Sequence, residues 1–480
     1  MLMAHCHGQS TSVLGRWMMP VLVGLCSFSC STDSEQPTQA VVIVIDTLRQ
    51  DALGCYGYEG DPTPNIDALA AEGTRFDQAI SSSGWTLPSV ASILTASWPS
   101  MHKALGKNTR LTPITSDLPT GPELLQKQGV ATAAVANAAF LSPMLGLQRG
   151  FDDFDHEPAF NDRIRRADAS VDLALRMIDE RKEGEFFVLL HLFDPHLDYD
   201  APDGYAEAFV GTRNDPARPV SMTDCRALQQ AKGRMAPTPK DVDYIKGQYQ
   251  AEVAFVDRSL GRLFDGMRQM GVYDDCMIVL TADHGEEFWE HGGLEHGHSL
   301  YDELVRVPLI VRGAAKDQEP ASVVASQVRT LDVLPTVLHE FGASFPAGTA
   351  GQSLMPLILG TDGTDRDAWL EGTLYGNDRR ALRGNRYKYI LSEQKEGPAL
   401  EELFDWRLDP GESTNMLATK PDVAQQMRAA FTSFRTQLES DAAQISAPDA
   451  EQINPETARE FERSLQSLGY TGRDDDDEDE

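Results

Sequence analysis

Basic residues are scarce in this chain of 480 residues: 42 lysines and arginines stand against 74 aspartates and glutamates, a formal charge of −32. A protein that grips a polyanion needs a concentrated basic face, so nucleic-acid binding is disfavoured. The surplus acid reads as a strongly solvated surface, and Asp474 to Glu480 form an acidic tail that repels itself. Cysteine is scarce too. Of the six, Cys6, Cys26 and Cys30 lie near the N-terminus, leaving Cys55, Cys225 and Cys276. That odd remainder lacks metal-ligand spacing and supports neither a disulfide scaffold nor a zinc–cysteine site. No period of roughly 20–50 residues recurs, which argues against a repeat architecture. The apolar run from Trp17 to Phe28 is too short to span a bilayer easily.

That short run follows Arg16 and reads as a secretory signal. Ser29-Cys30, followed by the polar stretch Ser31 to Gln36, resembles a bacterial lipoprotein cleavage site with Cys30 as the lipidated residue. The expectation is an exported protein of the bacterial periplasm or cell envelope, attached to the membrane if Cys30 carries lipid. Residues 1–30 are then the leader and 31–40 a linker.

Val41-Val42-Ile43-Val44-Ile45 is a continuous β-branched run, the pattern of a strand buried on both faces. Similar runs recur at Phe186 to Leu192, Met277 to Thr281 and Val307 to Val311. Helical patterns lie between them, the clearest through Val242, Ile245, Tyr249, Val253, Val256, Leu260 and Leu263. Alternating strands and helices predict an α/β fold, a mostly parallel sheet flanked by helices, over residues 41–350. A Gly-, Pro- and Ala-rich stretch from about Gly342 to Gly363 marks a boundary. Beyond it, Tyr387 to Leu391 and Glu402 to Asp405 read as strands, and Asp422 to Ser440 as a helix. They predict a small C-terminal α+β subdomain over residues 365–440, then a polar extension over 441–480.

Polar clusters sit where buried strands end, and in open α/β sheets functional groups gather beyond the carboxyl ends of strands. Asp46 closes the first run, as a ligand or as a turn cap. Asp283-His284 closes the third, where adjacent carboxylate and imidazole can both ligate a divalent cation and Gly285 permits a sharp turn. Asp194-Pro195-His196 closes the second. In Gly84-Trp85-Thr86-Leu87-Pro88, the proline suits a first helical turn and places Thr86 at or just before a helix N-terminus. Unpaired N–H groups there favour an alkoxide and an anionic substrate, unless Thr86 merely caps the helix.

Ile45-Asp46-Thr47-Leu48-Arg49, Asn65 to Ala70, Trp85-Thr86-Leu87-Pro88-Ser89 and Asp283-His284-Gly285-Glu286-Glu287 resemble the sulfatase family of the alkaline phosphatase superfamily, in its order and approximate spacing. Phe404-Asp405, Asp409 to Glu412 and Asn415 are similar to its C-terminal signature, so the likeness runs from about Val41 to Leu417. The resemblance implies an alkaline-phosphatase-like fold and one divalent metal ion held by Asp46, Asp283, His284 and the nucleophile oxygen of Thr86. It assigns His196 to the substrate's anionic group or leaving oxygen, and His298 to a further cationic contact, with Lys103 a weaker candidate. Asp194, Asp198 and His298 are the residues that could complete a second ion site, although a single ion is expected.

Two departures matter. Typical members carry Cys or Ser followed by x-Pro-x-Arg, and oxidise that residue to formylglycine. Here Thr86 and Val90 occupy those positions, and a threonine cannot supply the aldehyde. Thr47 replaces the second of the family's paired aspartates, and His284 replaces an Asn. Losing a carboxylate and gaining an imidazole favours manganese or zinc, with calcium still open. The set resembles the nucleotide pyrophosphatases, phosphonate ester hydrolases and lipoteichoic acid synthases of the same superfamily, several of which use Thr. A hydrolase of phosphate, phosphonate or sulfate esters, acting on a small-molecule, glycan or lipid substrate through a covalent Thr86 intermediate, is expected. A phospho-group transferase acting on a surface glycan or lipid and a non-catalytic binding protein on this scaffold are the alternatives.

Overall fold

Gln39–Ile45 (β1) is a central strand with every position buried. On one side it pairs in parallel with Phe186–Leu192 (β5), and on the other with Cys276–Ala282 (β6). The structure, a computed structural model, describes residues 37–107, 110–157, 165–210, 237–313, 319–448 and 463. Strand β5 continues in parallel to Ala131–Ala136 (β3), and β3 to Asp153–His156 (β4). Beyond β6 the sheet turns antiparallel through Leu309–Arg312 (β8), which pairs with Thr74–Ile80 (β2). Ser322–Arg329 (β9) then adds in parallel to β2. The run expected at Val307 to Val311 is interrupted: Arg306–Val307 (β7) and β8 both pair with β2 on either side of Pro308, which has no N–H to give a ladder. In space the order is β7-β2-β8-β6-β1-β5-β3-β4, so the expected mostly parallel α/β sheet is what forms.

Helices cover this sheet. Pro239–Met270 (α4) starts on a capping box between Thr238 and Asp241, has Pro239 in its first turn, and stops at Gly271, whose φ of 74° is left-handed. Its apolar stripe, from Ile245 to Met267, is buried as the period predicted. Ala167–Asp179 (α3) packs against β5 and against α4.

A second sheet is antiparallel throughout: Ala368–Glu371 (β10), Arg379–Arg383 (β11), Tyr387–Ser392 (β12) and Leu400–Asp405 (β13). Pro421–Ala442 (α5) lies on it, with Trp369 stacked on Phe434 at 5.3 Å and tilted against Phe431 at 4.9 Å. The last two strands and the helix stand where the sequence placed them. Charged side chains bury between this sheet and the helical turn Asp302–Val305. Arg383 and Lys388, both wholly enclosed, reach Asp302 at 2.7 and 2.9 Å, and Lys388 also reaches Glu412 at 3.0 Å. Burying cations is costly unless each is paired, so the two sheets are held in one register by this network. Cys55 and Cys276 are free thiols. The expected leader, Cys30, the Cys225 region and the acidic tail lie outside the described residues, and no described helix is long and apolar enough to cross a membrane.

Candidate active site

Three strand ends converge. Ile45 is level with Leu192 on one side and Ala282 on the other, so the residues that follow each strand emerge side by side. Asp46 N–H donates to the Leu192 carbonyl at 2.9 Å, fixing β1 to β5 where the chain leaves the sheet. The next residue, Thr47, has φ of 55°, strained for a β-branched side chain, and its N–H donates to Asp283 Oδ1 at 3.3 Å. Tyr249 of α4 holds that turn, its hydroxyl donating to the Thr47 carbonyl at 2.9 Å and accepting from Arg49 N–H at 2.8 Å.

Asp283 is thereby divided. Its Oδ1 takes the N–H of Thr47 and that of His284 (2.8 Å), while Oδ2 has no hydrogen-bond partner among the described residues. Gly285 matters here for close approach: a Cβ would lie 2.1 Å from the Glu303 carbonyl oxygen. His284 Nδ1 sits 2.9 Å from the Gly285 carbonyl, which can only accept, so Nδ1 carries the proton. The Nε2 lone pair then faces three oxygens: Asp46 Oδ1 at 3.4 Å, Asp283 Oδ2 at 3.5 Å and Thr86 Oγ1 at 3.4 Å.

Thr86 opens the helix Thr86–Thr95 (α2), every residue of which is buried. Trp85, in the cap position, offers no side-chain hydrogen bond to the first turn, so the N–H groups of Thr86 and Leu87 have no side-chain cap from it. The segment before it is clamped from the second sheet. Gly372 carbonyl accepts from Trp85 Nε1 (2.7 Å) and Ser83 Oγ (2.8 Å), and Gly297 N–H donates to the Gly84 carbonyl at 2.9 Å. The Gly297 carbonyl in turn accepts from the N–H groups of Leu374 and Tyr375.

The sequence did not single out His191, which lies within β5. Its ring is 1% exposed, neither nitrogen has a hydrogen-bond partner among the described residues, and Nε2 is 3.8 Å from Asp46 Oδ2. Burial, then the neighbouring His284 and His196, push its pKa down to about 3. Asp46 is raised well above the ordinary carboxylate range, by burial and then by the charge of Asp283; Asp283 is raised by burial. Donor atoms of Asp46, His191 and Asp283 lie within 4.8 Å of one another. A lone pair aimed at carboxylates, and carboxylate oxygens left without donors in a buried site, make sense around a shared cation. The residues present fit such an ion.

His196 stacks on Phe193 at 4.4 Å, and its Nδ1 lies 2.8 Å from the Leu197 carbonyl, so Nε2 holds the lone pair of the neutral ring. The ring that packs edge-on to His196, at 5.0 Å, and against His284, at 4.4 Å, belongs to His296. His296 Nδ1 is 2.9 Å from Glu286 Oε1, and Tyr199 hydroxyl donates to Glu286 Oε2 at 2.8 Å. His298, the expected contact, instead pairs through Nε2 with Glu287 Oε2 at 2.8 Å. Lys103 Nζ donates to the Ala442 carbonyl at the end of α5. Asp194 Oδ2 accepts the Ala167 N–H that opens α3, and burial raises its pKa to about 6.

A buried hydroxyl at a helix N-terminus, beside carboxylates and imidazoles that could hold a cation and two further histidines, is an arrangement suited to hydrolysis of oxyanion esters. The comparisons give the family. The sulfatase family model matches residues 38–343, and one described as N-sulphoglucosamine sulphohydrolase, C-terminal, matches residues 290–439. The chain belongs to the sulfatase family. An N-acetylglucosamine-6-O-sulfatase of Bacteroides thetaiotaomicron is 24% identical, over 85% of this chain and 88% of that protein. Arylsulfatase K of Xenopus laevis is also 24% identical, covering 83% and 82%. The crystal structure of a phosphonate monoester hydrolase of Agrobacterium radiobacter shares the fold, with a TM-score of 0.69 and 20% identity over 84% of this chain and 96% of that one.

Proposed function

We propose that this protein hydrolyses phosphate or phosphonate esters of an organic alcohol through a covalent ester on Thr86, without formylglycine. The observation that carries the reading is the Thr86 hydroxyl, buried at the N-terminus of α2 and 3.4 Å from the His284 lone pair. Asp46, Asp283, His284 and Thr86 would hold a divalent ion, manganese or zinc before calcium, which when bound supplies Lewis-acid polarisation of the substrate oxyanion and the threonine hydroxyl. Thr86 Oγ1, having released its proton to solvent, attacks phosphorus in line, forming the Oγ1–P bond as the bond to the leaving alcohol oxygen breaks; in the second step it leaves again as the alkoxide. The N–H groups of the first turn of α2 receive the non-bridging oxygens. Protonated at Nε2, His196 gives its proton to the leaving oxygen; neutral again, it takes one from the water that cleaves the Thr86 ester. Water must attack the central atom directly, because threonine has no second hydroxyl with which to expel the anion. That requirement suits phosphorus.

Sulfate esters of glycans are the second reading, favoured by the sulfatase names of the relatives. Aryl and alkyl phosphate, phosphonate and sulfate esters, assayed side by side after reconstitution with zinc, manganese or calcium, separate the two. Added alcohol acceptors would expose a transferase. Thr86→Ala is expected to abolish turnover while the far-ultraviolet circular dichroism stays unchanged; near-normal turnover by that variant would reject the scheme. The proposal also places the enzyme outside the cytoplasm, anchored through Cys30. Lipid labelling that Cys30→Ala removes is the expected result.

A further inference from the structure

We infer that His191 is a ligand of the same cation, and that this second imidazole makes the site take a first-row transition ion such as zinc in preference to calcium. The inference rests on the reading that the cluster holds a divalent ion. His191 occupies the last but one position of β5, opposite Val44 and beside the strand end from which Asp46 emerges. An imidazole so enclosed, with neither nitrogen bonded within the described protein, carries a desolvation cost that nothing in the strand offsets. Both oxygens of Asp46 are likewise unbonded, and each faces an imidazole: Oδ1 lies 3.4 Å from His284 Nε2, and Oδ2 lies 3.8 Å from His191 Nε2. One donor from each of Asp46, His191 and Asp283 falls within 4.8 Å of the others, the span of atoms around a common ion.

The chemistry of that donor set decides the metal. Calcium takes six to eight oxygen ligands, typically ~2.3–2.6 Å away. Two imidazoles, two carboxylates and a hydroxyl offer too few oxygens and too much nitrogen for it, and suit zinc and its neighbours. Thr47, at the position of a family aspartate, contributes its backbone N–H to Asp283 in place of another carboxylate. The oxygen ligand lost there is balanced by the nitrogen on β5.

The test counts nitrogens. The full chain, stripped with a chelator and loaded with copper(II) as a spectroscopic probe, is expected to show two imidazoles by pulsed electron paramagnetic resonance. His191→Phe and His191→Gln should each show one. Titration calorimetry should find zinc binding weakened at least about tenfold in both variants, the size of loss that even an outer partner of a metal ligand causes. Calcium binding should change little. His191→Gln keeps a polar side chain in the strand, so it reports even if His191→Phe fails to fold. A single imidazole in the wild type, or variants that keep its spectrum and zinc affinity, would overturn the inference. Wild type that binds no ion would overturn it together with the cation reading. Two-imidazole binding by a protein that cleaves none of the esters would sink only the proposed function.

Discussion

Asp46→Asn should stabilise the protein in chelator and destabilise it, relative to wild type, in saturating metal. Asp46 and Asp283 are both fully buried, with donor oxygens no more than 4.8 Å apart. At an effective protein dielectric of about 20, two full charges at that separation repel by roughly 3.5 kcal/mol. Burial shifts both carboxyls toward the neutral form, and the charge of Asp283 adds to the shift of Asp46. Asparagine removes one charge but leaves an amide without a partner, so about 1–2 kcal/mol of relief survives. A chain of 480 residues unfolds with an entropy on the order of 1 kcal/mol per degree. The metal-free variant should therefore melt about one to two degrees above metal-free wild type. Zinc or manganese at about a hundred times its Kd adds roughly 2.7 kcal/mol to the wild type. Its melting temperature should rise by nearly three degrees, and that of the variant hardly at all. Differential scanning calorimetry with and without chelator reads both shifts. A metal-free variant that melts at or below metal-free wild type, with an equal response to metal, refutes the reasoning.

Asp302→Ala leaves Arg383 enclosed without its carboxylate and Lys388 with Glu412 alone. It should cost about 3–5 kcal/mol in urea unfolding, and a loss below about 1 kcal/mol would contradict the pairing argument. His102, held between Ser92 and the Ala104 N–H, has its pKa pushed down to about 3 by burial. Its contribution to stability is complete above the unfolded value of about 6.5 and is lost by about 1.4 kcal/mol per pH unit as pH falls from there toward 3. Urea midpoints of His102→Gln should fall less steeply than those of wild type between pH 6.5 and 4; parallel slopes would dismiss the group. His196→Gln should slow alkyl esters by about 10²–10⁴-fold and aryl esters with good leaving groups far less, and equal loss on both would remove it from the role of acid.

Much of the sheet was legible because strands buried on both faces have no choice of side chain. The runs starting at Val41, Phe186 and Met277 are apolar but for His191 and Thr281, and the structure places them in adjacent positions. Strands β2 and β9 escaped because they mix polar with apolar residues, as in Thr74-Arg75-Phe76-Asp77-Gln78. Asp46, Thr86, Asp283 and His284 could be read from strand and helix ends, and the structure brings the four together. The same rule hid His191: inside a strand it looked like part of an apolar run, though a histidine between Leu190 and Leu192 in a buried strand was itself a signal. His296 and His298 differ by only two residues in a loop without periodicity, so sequence spacing could not tell which ring would meet His284 and which would meet Glu287.

Gly372 holds the side chains of Ser83 and Trp85, and Leu374 and Tyr375 hold Gly297, whose N–H bonds Gly84; these residues, which brace the approach to Thr86, follow directly on the first strand of the small sheet. The appendage is thus part of the frame that holds Thr86 and cannot be treated as a detachable module. Cutting the gene at the Gly-rich boundary would yield a fragment that keeps Asp46, Thr86, Asp283 and His284 and loses the brace beside Thr86. Swapping C-terminal halves between relatives would succeed only where this brace is carried across intact.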